Sequence, residues 1–259
     1  MAFITLNDNT IIHYTKSGHG SQNVLFVHGN LANTLWWEFA MNELPDKYTA
    51  YAIDMPGSGK SKETGKRHTI DYFVSILDNF ANTLKLKNFY LVGHSMGGGI
   101  SQLYTIKHPD KVLKLVCVDS MGADGFHVMF NRGLDVVERM MKDKVLLTKA
   151  MNVIMPFCKD DMLRNKLIDA AYAASEQVFM EQPVTMHEAN WFNKLSEINC
   201  PTLFLHGDHD DFAPKEQAER TAKAIKNSIF KYLKDCGHCP IVEVPEVFNK
   251  ELFSFLNNK

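Results

Sequence analysis

The chain has 259 residues, 45% hydrophobic and 22% charged, with a formal net charge of −2, values of a globular protein able to bury roughly three quarters of its unfolded surface. No block of like charges stands out, which excludes a nucleic-acid-binding footprint, and no run reaches the ~18 apolar residues of a membrane span. Five irregularly spaced cysteines argue against a secreted disulfide framework, and the start MAFITLNDNTIIHY lacks the pattern of a signal peptide. The expectation is a soluble cytoplasmic protein acting on a small molecule, with neither nucleic acid nor membrane as partner. Nothing in the sequence speaks to its oligomeric state.

In chain order, ITL and TIIHYT, separated by Asn7-Asp8-Asn9, predict a β-hairpin. The runs NVLFVHG, TAYAIDM, NFYLVGH, VLKLVCVDS, TLFLHG and SIFKYLKD follow. Most are too continuously apolar for a sheet with one wet face and suit parallel strands covered on both sides. Between them lie helical stretches such as Thr69 to Lys85, where Tyr72, Phe73, Ile76, Phe80 and Leu84 recur with helical spacing. This alternation predicts an α/β fold with a largely parallel sheet.

The alternation stops between Met121 and Ile198. FNRGLDVVERMMKD, LLTKAMNVIMPF and DMLRNKLIDAAYAASEQVF read as amphipathic helices, and nine of the 13 methionines fall in this segment. A helical insertion between two strands predicts a lid over the sheet's C-terminal edge, spanning 121–195, with 1–120 and 196–259 forming the core domain. The methionines are either core filling or the lining of an adaptable apolar pocket.

The most specific motif is Gly93-His94-Ser95-Met96-Gly97 in FYLVGHSMGGGISQLYTIKHPD. An apolar strand precedes it and a helix follows, the context of a strand-turn-helix nucleophile elbow. A sharp turn projects the serine hydroxyl at the sheet edge, and flanking glycines let neighbouring chain approach without clashing Cβ atoms. A second glycine-rich stretch, DMPGSGKS (Asp54 to Ser61), falls short of a phosphate-binding P-loop because Asp54 stands where that pattern needs glycine.

On these residues the sequence resembles the α/β-hydrolase superfamily over essentially its whole length. The implied fold is a mostly parallel sheet of about eight strands, flanked by helices and carrying a helical cap. Four motifs carry the resemblance: His28-Gly29-Asn30 after an early strand; the D-x-P-G-x-G-x-S turn at Asp54; Gly207-Asp208-His209-Asp210 with Pro214; and Gly237-His238 followed by Glu243-Val244-Pro245-Glu246 and a closing helix. The resemblance implies a triad of Ser95, Asp210 and His238, in the family's chain order. Asp208 and Asp211 would then be turn formers, with Asp119 a substitute acid. It also implies an oxyanion site made by the amides of Asn30 and Met96, and no metal or organic cofactor. His28 and His94 are expected to pack or hydrogen-bond within their loops.

His238 also sits within Cys236-Gly237-His238-Cys239, the string of a thiol oxidoreductase. A redox pair needs a thiolate stabilised at a helix N-terminus. Here no helix is expected before Pro245, and Asp235 disfavours a thiolate. Zinc lacks two further ligands at matched spacing.

The sequence therefore predicts a serine hydrolase that cleaves a small to medium carboxylic ester or lactone through an acyl-enzyme. Hydrolysis of carbon–carbon bonds, peracid formation and slow-turnover ligand reception on the same fold are its alternatives. Trp36, Trp37, Phe126, Met129, Phe130, Trp191 and Phe192 are candidates for the pocket wall.

Overall fold

The computed structural model describes residues 2–131 and 133–258. Its centre is one eight-stranded sheet in the order β1-β2-β4-β3-β5-β6-β7-β8. The strands are β1 (Ala2–Thr5), β2 (Ile11–Gly18), β3 (Gln22–Val27), β4 (Tyr48–Ile53), β5 (Phe89–His94), β6 (Val112–Val118), β7 (Thr202–Gly207) and β8 (Ser228–Leu233). The expected hairpin pairs β1 with β2 antiparallel, and β2 runs antiparallel to β4. From β4 through β8 every pairing is parallel.

Burial explains which runs lie where. All six residues of β4, of β5 and of β7 are buried, as parallel strands require when helices cover both faces. Successive residues of β3 feed opposite faces: Val24 and Phe26 join one apolar cluster, Leu25 and Val27 the other. The edge strand β8 instead alternates between partly buried and exposed positions over its first four residues, with Lys231 turned outward to Glu251. A charged, half-wet edge resists pairing with another chain.

The helices of the first half are α1 (Glu38–Asn42), α2 (Ile70–Thr83) and α3 (Met96–Lys107). Thr69 starts α2 by accepting a hydrogen bond from the Tyr72 amide, a cap worth about 1 kcal/mol. Helix α2 buries Phe73, Ile76, Leu77 and Phe80, the stripe that the sequence period predicts.

Between β6 and β7 run α4 (Val128–Asn131), α5 (Leu134–Lys142), α6 (Lys144–Ile154), α7 (Asp161–Tyr172), α8 (Glu176–Met180) and α9 (Gln182–Glu188), and no strand among the described residues. The run DMLRNKLIDAAYAASEQVF is two helices rather than one. Ser175 ends the continuity because its hydroxyl caps α8 at the Val178 amide while its own amide donates to Gly57 O. Helix α9, with Pro183 in its first turn, has no counterpart in the sequence reading. Val137, Met140, Leu147, Met151 and Phe179 from this segment share one apolar cluster with Val24 and Phe26 of the sheet. The last helices are α10 (Lys215–Lys223), α11 (Pro240–Glu243) and α12 (Pro245–Asn257).

One close approach fixes the relation of β3, β5 and α3. A Cβ on Gly97 would collide with the carbonyl oxygen of Val27, and one on Gly93 with that of Gly97. Overpacking of this kind costs about 1–3 kcal/mol. Gly97→Ala is therefore expected to lower the thermal unfolding midpoint by several degrees; an unchanged midpoint contradicts the contact.

Candidate active site

Ser95 links β5 to α3 with φ 53° and ψ −120°, a strained conformation for a residue bearing a Cβ. Neighbouring backbone holds it there: the Ser95 amide donates to Val118 O at 2.9 Å, and its carbonyl accepts from Met121 N at 3.1 Å and Gly98 N at 3.0 Å. The hydroxyl is left free to face the loop that follows β8.

That loop carries His238. Its Nδ1 lies 2.8 Å from Asp210 Oδ2, and its Nε2 lies 3.0 Å from Ser95 Oγ. A carboxylate oxygen can only accept, so Nδ1 carries the proton and Nε2 is left to accept from the serine hydroxyl. Asp210 is held in turn, its Oδ1 accepting from the amides of Phe212 and Ala213, both at 2.9 Å. Burial pushes the Asp210 carboxyl upward, but the facing His238 and these amides outweigh it and hold it well below the usual carboxylate range. Sequence order and structure thus bring Ser95, His238 and Asp210 together. Asp208 instead accepts from the Cys236 amide at 3.2 Å, and Asp211 is exposed.

Asp119 lies directly behind the acid. Its Oδ1 accepts from the Gly207 amide at 2.8 Å, and ligand atoms of Asp119, His206 and Asp210 fall within 4.8 Å of one another. Burial, then the neighbouring Asp210 charge, push the Asp119 carboxyl well up, so it stays neutral where Asp210 is ionised. These three side chains are the one trio of possible metal ligands found among the described residues, and Asp210 Oδ2 already pairs with His238.

His28 keeps to its own surroundings, with Nδ1 bonded to Gly29 O and Nε2 accepting from the Met55 amide at 3.0 Å. His94 does more than pack within its loop. Its Nε2 donates to the carbonyl of His238 at 2.8 Å while its ring stacks on Trp36. Burial and the adjacent His238 lower it to about 3, so it remains a neutral donor at ordinary pH. Glu243, which the sequence reading used only as part of a motif, accepts from the Phe157 amide at 2.8 Å and the Cys239 amide at 3.0 Å. An acid inside the apolar run PIVEV was the signal for such a buried role.

Among the described residues neither the Asn30 nor the Met96 amide donates to a backbone carbonyl. Asn30 lines the cavity of about 270 Å³ into which Ser95 and His238 open, and Met96 follows Ser95 as the first residue of α3. Trp36 and Phe126 line this cavity as expected, together with Met140, Met151 and Met186 from the helical segment. Trp37 belongs to the core against Phe26 and Phe248, and buried Trp191 donates to Gln102. Phe130 stacks on His187, and Phe192 lies under Arg220. The side chain of Met129 lies outside the described part. The methionines serve both expected ends, since Met140 and Met151 line the cavity and also belong to the core cluster.

The cysteine string has a corrected setting. Helix α11 begins immediately after Cys239, earlier than the sequence predicts, because Pro240 suits a helix's first turn. Cys236 and Cys239 are nevertheless free, fully buried thiols. Burial, followed by the acids Asp119 and Glu243, pushes both thiols up, the opposite of what a redox thiolate requires.

Residues 22–144 match the family described as the alpha/beta hydrolase fold. An esterase from Exiguobacterium antarcticum superposes with a TM-score of 0.91 at 24% identity, covering 99% of each chain. The chain has the α/β-hydrolase fold. Among its relatives is a 2-hydroxy-6-oxononadienedioate/2-hydroxy-6-oxononatrienedioate hydrolase from Escherichia coli, 29% identical over 267 residues, or 95% of this chain and 90% of that protein. Another is a dihydrolipoyllysine-residue acetyltransferase component of an acetoin cleaving system from Cupriavidus necator, 27% identical over 262 residues. The α/β-hydrolase chain covers 93% of its own length in that match and spans 65% of the relative.

The paired acids behind His238 give opposite pH signs. An unfolded aspartate titrates near 3.9. Asp210, depressed in the fold, contributes stability that is present above that value and lost as pH falls through it. Asp119, raised in the fold, favours folding below that value, and the contribution is lost as pH rises toward its folded pKa. Asp119→Asn keeps an acceptor for Gly207 and removes the proton uptake on folding. Its thermal midpoint relative to wild type is expected to climb as pH rises from about 4; a pH-independent difference contradicts a neutral Asp119.

Proposed function

We propose that this protein is a serine hydrolase that cleaves a small to medium, largely apolar carboxylic ester or lactone. The observation that carries the proposal is the continuous hydrogen-bonded chain from Ser95 through His238 to Asp210, opening on an apolar cavity. In this reading His238 Nε2 takes the Ser95 proton as Oγ attacks the substrate carbonyl. Asp210 keeps the imidazole in the required tautomer and stabilises the imidazolium that forms. The Asn30 and Met96 amides hold the oxyanion, a contribution of about 3–4 kcal/mol per donor in comparable acyl-transfer sites. The imidazolium then protonates the leaving alcohol. Water deprotonated by His238 attacks the acyl-serine, and the acid product departs.

The helical segment acts as the lid of this site. Helices α5 and α6 supply Val136, Val137, Met140, Leu147, Met151 and Ile154 to the cavity wall. The wall's composition selects among the reactions of the superfamily. A dioate such as the one named for the Escherichia coli relative carries two carboxylates, and burying an unpaired charge costs several kcal/mol. Lys149, an exposed residue midway along α6, is the one lysine or arginine among the described residues lining the cavity. A neutral acyl chain fits this wall better than a dianion.

Ser95→Ala and His238→Ala are each expected to lower kcat for p-nitrophenyl butyrate by roughly 10⁴–10⁶-fold. A fluorophosphonate should label the wild type and not Ser95→Ala. Across p-nitrophenyl esters of graded acyl length the protein should turn over neutral chains and leave 2-hydroxy-6-oxononadienedioate essentially untouched. Faster cleavage of that dioate than of any ester overturns the assignment, and negligible turnover of every ester points instead to ligand reception. Cys236→Ser with Cys239→Ser is expected to retain most ester hydrolysis; loss of hydrolysis accompanied by thiol-reductase activity in the parent contradicts the buried-thiol account.

A further inference from the structure

The side chain of Asn30 is committed to the helical segment. Its Nδ2 donates to Val178 O at 3.1 Å and to Gln182 Oε1 at 2.7 Å. A backbone carbonyl only accepts, so Val178 fixes the orientation of the Asn30 amide. With Oε1 facing Asn30, Gln182 turns its nitrogen the other way, where His68 Nδ1 lies 3.4 Å off. His68 Nδ1 therefore accepts, its ring is neutral with the proton on Nε2, and that proton goes to Glu63 Oε2 at 3.0 Å. Every link donates in the same direction, and reversing any one sets donor against donor or acceptor against acceptor. Gln182 and His68 are fully buried, where a polar group left unpaired is destabilising.

The other groups facing His68 complete its setting. Glu181 Oε2 accepts from the His68 amide at 2.7 Å, and the rings of Tyr72 and Phe73 pack beside the imidazole. Glu63 is itself tied to Ser175 at the start of α8. The chain of bonds thus runs from the core loop of Glu63 and His68, through α9, to the loop that carries Asn30 into the cavity wall beside Ser95.

We propose that Gln182 is a positioning residue for the hydrolysis: by gripping the Asn30 side chain from α9 it sets the backbone amide of Asn30 at the oxyanion site. This rests on the oxyanion role given to that amide under the proposed function. The device makes the oxyanion site complete only when α8 and α9 are seated, so the segment that encloses the substrate also assembles the site that polarises it. Misplacement of a catalytic group by about 1 Å is enough to cost on the order of 100-fold in rate.

The test compares Gln182→Met, close in size but without polar atoms, with Gln182→Glu. The glutamate keeps an oxygen for Asn30, and His68 can take a proton at Nδ1 to satisfy the other. With p-nitrophenyl butyrate, Gln182→Met should lower kcat roughly tenfold or more with KM changed by less than about twofold, a transition-state effect. Gln182→Glu should restore kcat to within about threefold of wild type, the acceptor being what matters. An unchanged kcat in Gln182→Met, a loss confined to KM, or equal losses in both variants overturns the proposal. A second readout needs neither a folded variant nor turnover. In wild type, ¹⁵N NMR of His68 should show a neutral ring with Nε2 protonated, and the Nδ1–H tautomer or an imidazolium overturns the relay. If wild type turns over no ester, the hydrolase assignment fails, and the NMR result separately decides whether the relay exists.

Discussion

One hydrogen bond holds the chemistry in register: His94 Nε2 to the backbone carbonyl of His238, 2.8 Å long and spanning 144 residues of chain. His94 immediately precedes Ser95, and the carbonyl belongs to His238, the residue whose ring meets the Ser95 hydroxyl. The elbow and the His238 loop are thereby joined directly instead of through the sheet alone. The bond needs a proton on Nε2, and burial, against the pull of this bond, keeps the ring neutral by lowering the His94 pKa to about 3. The other end of His238 is fixed from the helical segment between β6 and β7, its amide donating to Ile154 O at 3.2 Å. Glu243 binds the Phe157 and Cys239 amides and so ties the same loop to the same stretch of that segment. A serine hydroxyl and an imidazole exchange a proton efficiently only over a narrow range of distance, and these contacts maintain it.

The charge distribution behind the site follows one rule. Low dielectric favours a single ionised acid where a partner is available and neutral groups everywhere else. Asp210 has His238 and two amides and stays ionised, whereas Asp119, a short distance behind it, stays neutral. Burial, the largest cause, holds Cys236 and Cys239 as neutral thiols too, the reverse of what a redox reading of Cys-Gly-His-Cys requires.

Much of this was legible in the sequence because it is local. Continuous apolar runs gave the parallel strands, and Gly93-His94-Ser95-Met96-Gly97 carried the elbow within five residues. The resemblance, through Gly207-Asp208-His209-Asp210 with Pro214, implied Asp210 ahead of Asp208 and Asp211. What escaped depends on pairs of residues distant in sequence. The bond of Asn30 to Gln182 spans 152 residues, and nothing local to either marks it. The break at Ser175 also escaped, because the helical period continues through it and a tertiary bond to Gly57 decides the matter. Trp37, Trp191 and Phe192 were named as pocket candidates on aromatic character alone, which does not say which face of the sheet a ring will join.

The account's central claim is a covalent acyl intermediate on Ser95, and trapping it is the most direct measurement. The protein is mixed with p-nitrophenyl butyrate, quenched in acid within milliseconds and digested for peptide mass spectrometry. A butyryl mass on the peptide bearing Ser95, absent after the reaction runs to completion, is the predicted result. Turnover with no adduct at Ser95, or with the acyl group on Cys236 or Cys239 instead, would contradict the account.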